Sequence, residues 1–136
     1  MLCKNCTEAG IVPTVVLGAA SKSDLVCKDP YEKLVKKNLF CATDDGSYGH
    51  AGFCLEVVNE QLKQKTYDWI ACCGPTSLMK LVAEASRNAS IPCSVSLEQI
   101  MACGIGACLG CTVETAEGNK RVCVDGPIFN ADKVRW

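Results

Sequence analysis

Three cysteines stand at C-x4-C-x2-C spacing in Cys103-Gly104-Ile105-Gly106-Ala107-Cys108-Leu109-Gly110-Cys111, and Cys123 follows after eleven intervening residues. Four thiols at this spacing give the ligand count and the opening pattern with which proteins hold a [2Fe–2S] cluster. The glycines fit the same chemistry. Thiolates from so short a stretch converge only if the backbone takes left-handed conformations and approaches the sulfurs closely, and glycine allows both. Amide N–H groups left free in such a loop can point at sulfur and help set a cluster's potential. Three other readings compete. Cys108-x2-Cys111 alone suits zinc, 12 cysteines in 136 residues could form a disulfide scaffold, and the thiols could be free and buried. The four-residue gap, with glycine on both flanks of Ile105, favours the cluster.

The elements that must position this loop read as follows. Residues 2–9 end a helix closed by Gly10; Cys3-x2-Cys6 lies there and reads as structural, because no second pair is near in sequence. Residues 14–19 form a β-branched strand, 21–28 a polar turn, and Asp29–Lys37 a helix with Asp29 as N-cap and Pro30 at its first position. A second strand over 38–43 runs into Asp44-Asp45-Gly46-Ser47-Tyr48-Gly49-His50-Ala51-Gly52, with His50, the only histidine, as an exposed loop residue. Residues 53–65 form a helix with Phe53, Val57, Val58 and Leu62 on one side. A third strand over 68–73 ends at Gly74-Pro75, and Thr76 caps a helix whose Leu78, Leu81, Val82 and Ala85 repeat at helical spacing. Pro92 precedes a fourth strand over 93–97. A short helix then leads from Glu98 to the cysteine loop, and Thr112–Glu114 and Lys120–Val124 form a hairpin.

Alternating strands and helices over 14–97 predict an α/β fold, part of a doubly wound parallel sheet, with a small C-terminal [2Fe–2S] appendage. The expected domains are 1–97, a partial NAD(P)-binding domain, and 98–136, the cluster-binding domain. In such sheets ligands bind at the carboxyl ends of strands, where the Asp44–Gly52 loop and Gly74-Pro75 fall. The net charge of −1, with no basic stripe, points away from nucleic acid and anionic membranes. No apolar run reaches membrane-spanning length. The N-terminus lacks the pattern of a signal peptide, so a cytoplasmic, reduced chain is expected, in which clustered cysteines bind metal rather than cross-link.

Several of these stretches, in this order, resemble one family. They are Thr43-Asp44-Asp45-Gly46-Ser47-Tyr48-Gly49, Cys73-Gly74-Pro75-Thr76, Ser96-Leu97-Glu98, Met101-Ala102-Cys103-Gly104-Ile105-Gly106-Ala107-Cys108 and Cys123-Val124-Asp125-Gly126-Pro127. The family is the electron-transfer subunit of dihydroorotate dehydrogenase B, related to the sulfhydrogenase gamma subunit and the small subunit of NADH-dependent ferredoxin:NADP oxidoreductase. Their nucleotide-binding half is ferredoxin-reductase-like.

The resemblance implies that NAD(P)H gives a hydride to a flavin, which passes single electrons to the cluster and on to a partner oxidoreductase such as dihydroorotate dehydrogenase, in pyrimidine biosynthesis. It implies that Asp44, Asp45, Gly46 and Ser47 line the nucleotide pocket. Cys73 would sit beside the nicotinamide as the catalytic residue, with Gly74 and Pro75 shaping the strand end. Cys103, Cys108, Cys111 and Cys123 would be the cluster ligands. Ser21-Lys22 occupy the turn where the family chooses NAD or NADP, and leave that choice open.

Relative to the family the chain is expected to be N-terminally truncated, without the flavin-binding barrel and the first strand of the nucleotide domain with its glycine-rich loop, so that the strands at 14–18 and 69–73 are expected to lack a shared partner. FAD is then expected from a missing domain or a partner chain, and the chain alone is expected to be inactive. Two alternatives accompany this reading: a one-electron carrier with a vestigial nucleotide pocket, and a structural zinc domain.

Overall fold

A computed structural model describes all 136 residues. They form two compact units, Met1–Gln64 and Lys65–Trp136. The first begins with helix α1, Leu2–Glu8, after which Gly10 takes a φ of 80°. Strand β1, Val15–Ala19, helix α2, Lys28–Val35, strands β2, Leu39–Thr43, and β3, His50–Ala51, and helix α3, Cys54–Gln64, follow. All three strands are parallel, in the order β1-β2-β3, with Val15 opposite Leu39 and Ala42 opposite His50. Helices α2 and α3 pack on β1 and β2. Val15, Val35, Ala42 and Val57 are buried with Thr43 and Gln61.

Two expectations for the helices of this unit change. Asp29 does not cap α2. Cys27 holds the N-cap position in a left-handed conformation, which puts Asp29 in the first turn, where a carboxylate still complements the helix dipole. Pro30 also falls within that turn, whose N–H groups have no partner inside the helix. Phe53 does not join the buried side of α3: it precedes the helix and is 70% exposed, and Gln61 is buried instead.

The second unit contains strand β4, Ile70–Cys73, helix α4, Thr76–Asn88, and strand β5, Cys93–Ser96. The hairpin β6, Thr112–Thr115, and β7, Gly118–Arg121, follows, then helix α5, Val122–Asp125, and strand β8, Ile128–Asn130. β4 and β5 are parallel, and β8 closes the far side of β5 antiparallel, a strand not expected from sequence. The architecture is mixed α/β with parallel pairing in both units.

Helix α4 starts on Pro75, with Thr76 already helical and making no capping hydrogen bond. Its buried stripe is Met79, Val82, Ala83 and Ser86, while Leu81 is 45% exposed. No helix forms over 98–102. That stretch has no face to bury, Ile100 being 87% exposed, and a single unpacked turn does not offset the cost of helix nucleation. β7 stops at Arg121, and the next four residues make one helical turn carrying Cys123.

Candidate metal centre

The four cysteines of the C-terminal motif come together in the second unit as two pairs. Loop 103–111 has left-handed residues at Gly104 (φ 68°), Gly106 (81°) and Leu109 (59°). These reversals turn the backbone amides inward. The Cys108 N–H donates to Cys103 Sγ at 3.4 Å, and the Gly110 N–H to Cys108 Sγ at 3.4 Å. The Cys108 amide first, then the nearby Ile105 amide, the Cys108 thiol and the Ala107 amide, pull the Cys103 pKa down to about 6. A thiol so placed is largely thiolate at neutral pH, the form that binds metal.

The second pair is Cys111 and Cys123. Cys111 is 3% exposed, and the Cys123 amide, then the Cys123 thiol, lower its pKa. The hairpin and α5 place these two sulfurs: the Val122 N–H donates to the Cys111 carbonyl at 3.1 Å, so α5 starts on Cys111 itself. Cys123 is pushed the other way, first by its hydrogen bond to Cys111, then by burial and by the nearby charges of Cys111 and Cys103. The nearby Gly106 amide partly offsets that rise. Cys123 therefore feels the electrostatic influence of both pairs. No three histidine, cysteine or carboxylate side chains close on one point as a single-ion site requires.

The other expected site residues fall in two places. In the first unit, Asp44 and Asp45 donate their N–H groups to Ala19 and Ala20, both at 3.1 Å, docking the loop after β2 on the end of β1. Gly46, with φ 70°, turns the chain back. Asp45 Oδ1 accepts from the Ser47 amide at 2.9 Å and hydroxyl at 2.6 Å, which holds its carboxyl below the usual range. The Lys22 N–H donates to Ser47 Oγ at 2.8 Å, and the Lys22 ammonium lies 5.7 Å from the centre of the Tyr48 ring. Buried Thr43 closes the loop by exchanging hydrogen bonds with the Tyr48 backbone at 2.9 and 3.0 Å.

His50 differs from expectation: it is half-buried in β3, its Nε2 2.7 Å from Glu56 Oε2. A cleft of about 350 Å³ in this unit is lined by Glu32, Cys41, Tyr48 and His50 among others, and by none of Asp44, Asp45, Gly46 or Ser47.

Cys73, Gly74 and Pro75 belong to the second unit, at the carboxyl end of β4. Cys73 is exposed and Cys72 half-buried, as alternation along a strand requires. Two residues beside the cysteine pairs were given no role from the sequence: Arg121 and Asp125 flank Cys123 and pair across it at 3.1 Å. Their spacing of four residues is the only sequence signal, and it shows only if residues 122–125 are read as helical.

Residues 98–135 match the family model of the iron–sulfur cluster binding domain of dihydroorotate dehydrogenase B. The chain is 41% identical over 130 residues to a probable dihydroorotate dehydrogenase B (NAD(+)) electron transfer subunit of Methanocaldococcus jannaschii, covering 96% of this chain and 49% of that protein. It is 44% identical over 95 residues to the corresponding subunit of Clostridium perfringens, covering 70% of this chain and 37% of that protein. Among solved structures, a chain from NADH-dependent reduced ferredoxin-NADP oxidoreductase, described for flavin-based electron bifurcation, superposes with a TM-score of 0.81 at 31% identity. That match covers 99% of this chain and 48% of the other. The chain thus spans about half the length of the curated relatives it matches. The resemblance read from the motifs holds along the chain: it is a relative of the electron-transfer subunits of dihydroorotate dehydrogenase B, with their iron–sulfur cluster binding domain at residues 98–135.

Proposed function

We propose that this chain is the iron–sulfur and nucleotide-binding part of an electron-transfer subunit, relaying electrons between NAD(P)H, through a flavin, and a partner oxidoreductase of the dihydroorotate dehydrogenase type. The observation that carries this reading is the two-pair arrangement of Cys103 with Cys108 and Cys111 with Cys123. A [2Fe–2S] cluster has two irons, and its two bridging sulfides leave each iron two thiolate positions. Two thiol pairs ringed by amide donors suit that demand better than they suit one tetrahedral zinc.

When bound, the cluster supplies one-electron storage. The chain's own residues would hold it, and they shelter Cys111 and direct the Cys108 and Gly110 amides at sulfur. Asp44, Asp45, Gly46 and Ser47 are proposed to line the nucleotide pocket, as their position at the end of β2 supports. Cys73, exposed at the end of β4 between strand and helix, is proposed to sit beside the nicotinamide, with Gly74 and Pro75 shaping the approach. The fold proposed for residues 1–97 is part of a doubly wound sheet, with 98–136 as the cluster-binding domain.

A two-electron hydride cannot enter a one-electron centre directly, so a flavin on another segment or chain is needed between them. With the cluster assembled anaerobically, NADH is expected to leave its visible absorption unchanged. Bleaching is expected once the flavin-carrying half of such a subunit is added. Rapid bleaching by NADH of the flavin-free chain would contradict the proposal.

A further inference from the structure

Beyond the four cysteines, one side chain joins the two segments that carry them. Arg121 ends β7, two residues before Cys123. Its backbone N–H donates to Asp125 Oδ2 at 2.7 Å, and its Nε reaches the same oxygen at 3.1 Å. One carboxylate therefore closes the turn of α5 around Cys123. Arg121 Nη1 extends the other way and donates to the Gly106 carbonyl at 3.3 Å, in the middle of the loop that carries Cys103 and Cys108. A Cβ on Gly106 would lie 3.0 Å from that Nη1 and 2.8 Å from Val124 Cγ2, so the approach depends on glycine.

The Arg121 and Asp125 side chains are 37% and 30% exposed, so the pair is partly sheltered from solvent. The guanidinium is always charged in a protein, and the hairpin register sets Arg121 opposite Thr112, the neighbour of Cys111. A guanidinium can serve a carboxylate and a carbonyl at once through its planar fork, which an ammonium cannot reproduce.

We propose that Arg121 is a positioning residue of the cysteine site: it ties the Cys123 helix to the loop of the other ligands and holds a positive charge beside Cys111 and Cys123 that favours the reduced state of a cluster there. This rests on the [2Fe–2S] reading above. Reduction adds one electron, here from a chemical reductant, and the added negative charge is stabilised by a nearby cation and opposed by a nearby anion. Arg121 and Asp125 therefore act on the midpoint potential with opposite signs.

The test is a spectroelectrochemical titration of the full chain with its cluster assembled, together with iron and sulfide content. Arg121→Gln is expected to lower the midpoint, so that at the wild-type midpoint the reduced-to-oxidised ratio falls about tenfold, equivalent to about 59 mV for a one-electron couple. Arg121→Lys is expected to fall between. Asp125→Asn is expected to raise the midpoint, and Lys80→Gln, which removes an exposed charge on α4, to leave it unchanged. Arg121→Gln and Asp125→Asn variants that keep both cluster and wild-type midpoint would overturn the proposal. If Arg121→Gln holds no cluster, Asp125→Asn decides alone: a higher midpoint supports the assignment, and an unchanged or lower one overturns it. A wild-type chain that takes up no iron and sulfide overturns the cluster reading itself, and this proposal with it.

Discussion

At the scale of single residues, the chemistry depends on backbone groups that only certain side chains allow. Gly49 shows the constraint away from the metal centre. It has φ 70°, and a Cβ there would collide with the Cys41 carbonyl oxygen. Gly49→Ala is therefore expected to destabilise the first unit by more than the roughly 1 kcal/mol typical of point mutations, as urea denaturation can measure. Asp45 gives a pH prediction. Its pKa is lowered from an ordinary 3.8, first by the Ser47 hydroxyl and then by the Ser47 amide. A lowered carboxylate contributes stability above its unfolded pKa and loses it as the pH falls through the folded one. The Ser47 amide resonance is expected to titrate with a midpoint below 3.8, and Asp45→Asn to abolish that titration. A Ser47 amide that ignores Asp45→Asn would contradict the assigned pair.

At the scale of elements, the outcome turns on which face is buried. Met79 is 2% exposed on α4 and Leu81 is 45% exposed. Met79→Ala is expected to cost about 2–5 kcal/mol, and Leu81→Ala to stay within about 0.5 kcal/mol, in the same denaturation assay. A larger cost for Leu81→Ala than for Met79→Ala would place the stripe where the sequence pattern put it. That pattern was ambiguous for a physical reason. Leu78-Leu81-Val82-Ala85 and Met79-Val82-Ala83-Ser86 have the same helical spacing, one residue apart, and hydropathy does not rank a buried Ser86 above an exposed Leu81. The alternation of strands and helices up to Ser96 was legible, because β-branched runs, Gly74-Pro75 and Pro92 punctuate it. β3 and β8 were not, since each is only two or three residues long and forms only against a partner strand. The α5 turn was hidden in Arg121–Val124, whose Val-Cys-Val core has strand propensity; the Asp125 carboxylate on the Arg121 amide overrides it. Thiol spacing alone marks the four cysteines as candidate ligands, whereas Arg121 depends on a contact to Gly106 fifteen residues away.

At the scale of the whole molecule, each unit presents parallel strands paired on a single side: β1 and the two-residue β3, both beside β2, in the first, and β4 beside β5 in the second. Parallel strands are normally interior, and open apolar edges invite further pairing. Taken alone, this chain is expected to show a concentration-dependent melt and self-association in analytical ultracentrifugation. A sharp melt of a monomer above about 60 °C, at the upper end for mesophilic domains, would contradict that expectation. The central claim concerns the four thiols, and the most direct measurement is iron, acid-labile sulfide and the electron paramagnetic resonance signal of the dithionite-reduced chain after anaerobic reconstitution. About two irons and two sulfides per chain, with a single-electron signal, are expected. Cys103→Ser, Cys108→Ser, Cys111→Ser and Cys123→Ser should each lose them, while Cys27→Ser, Cys41→Ser and Cys54→Ser keep them. Wild-type iron and sulfide in Cys111→Ser, or a wild-type chain that takes up zinc and no sulfide, would contradict the account.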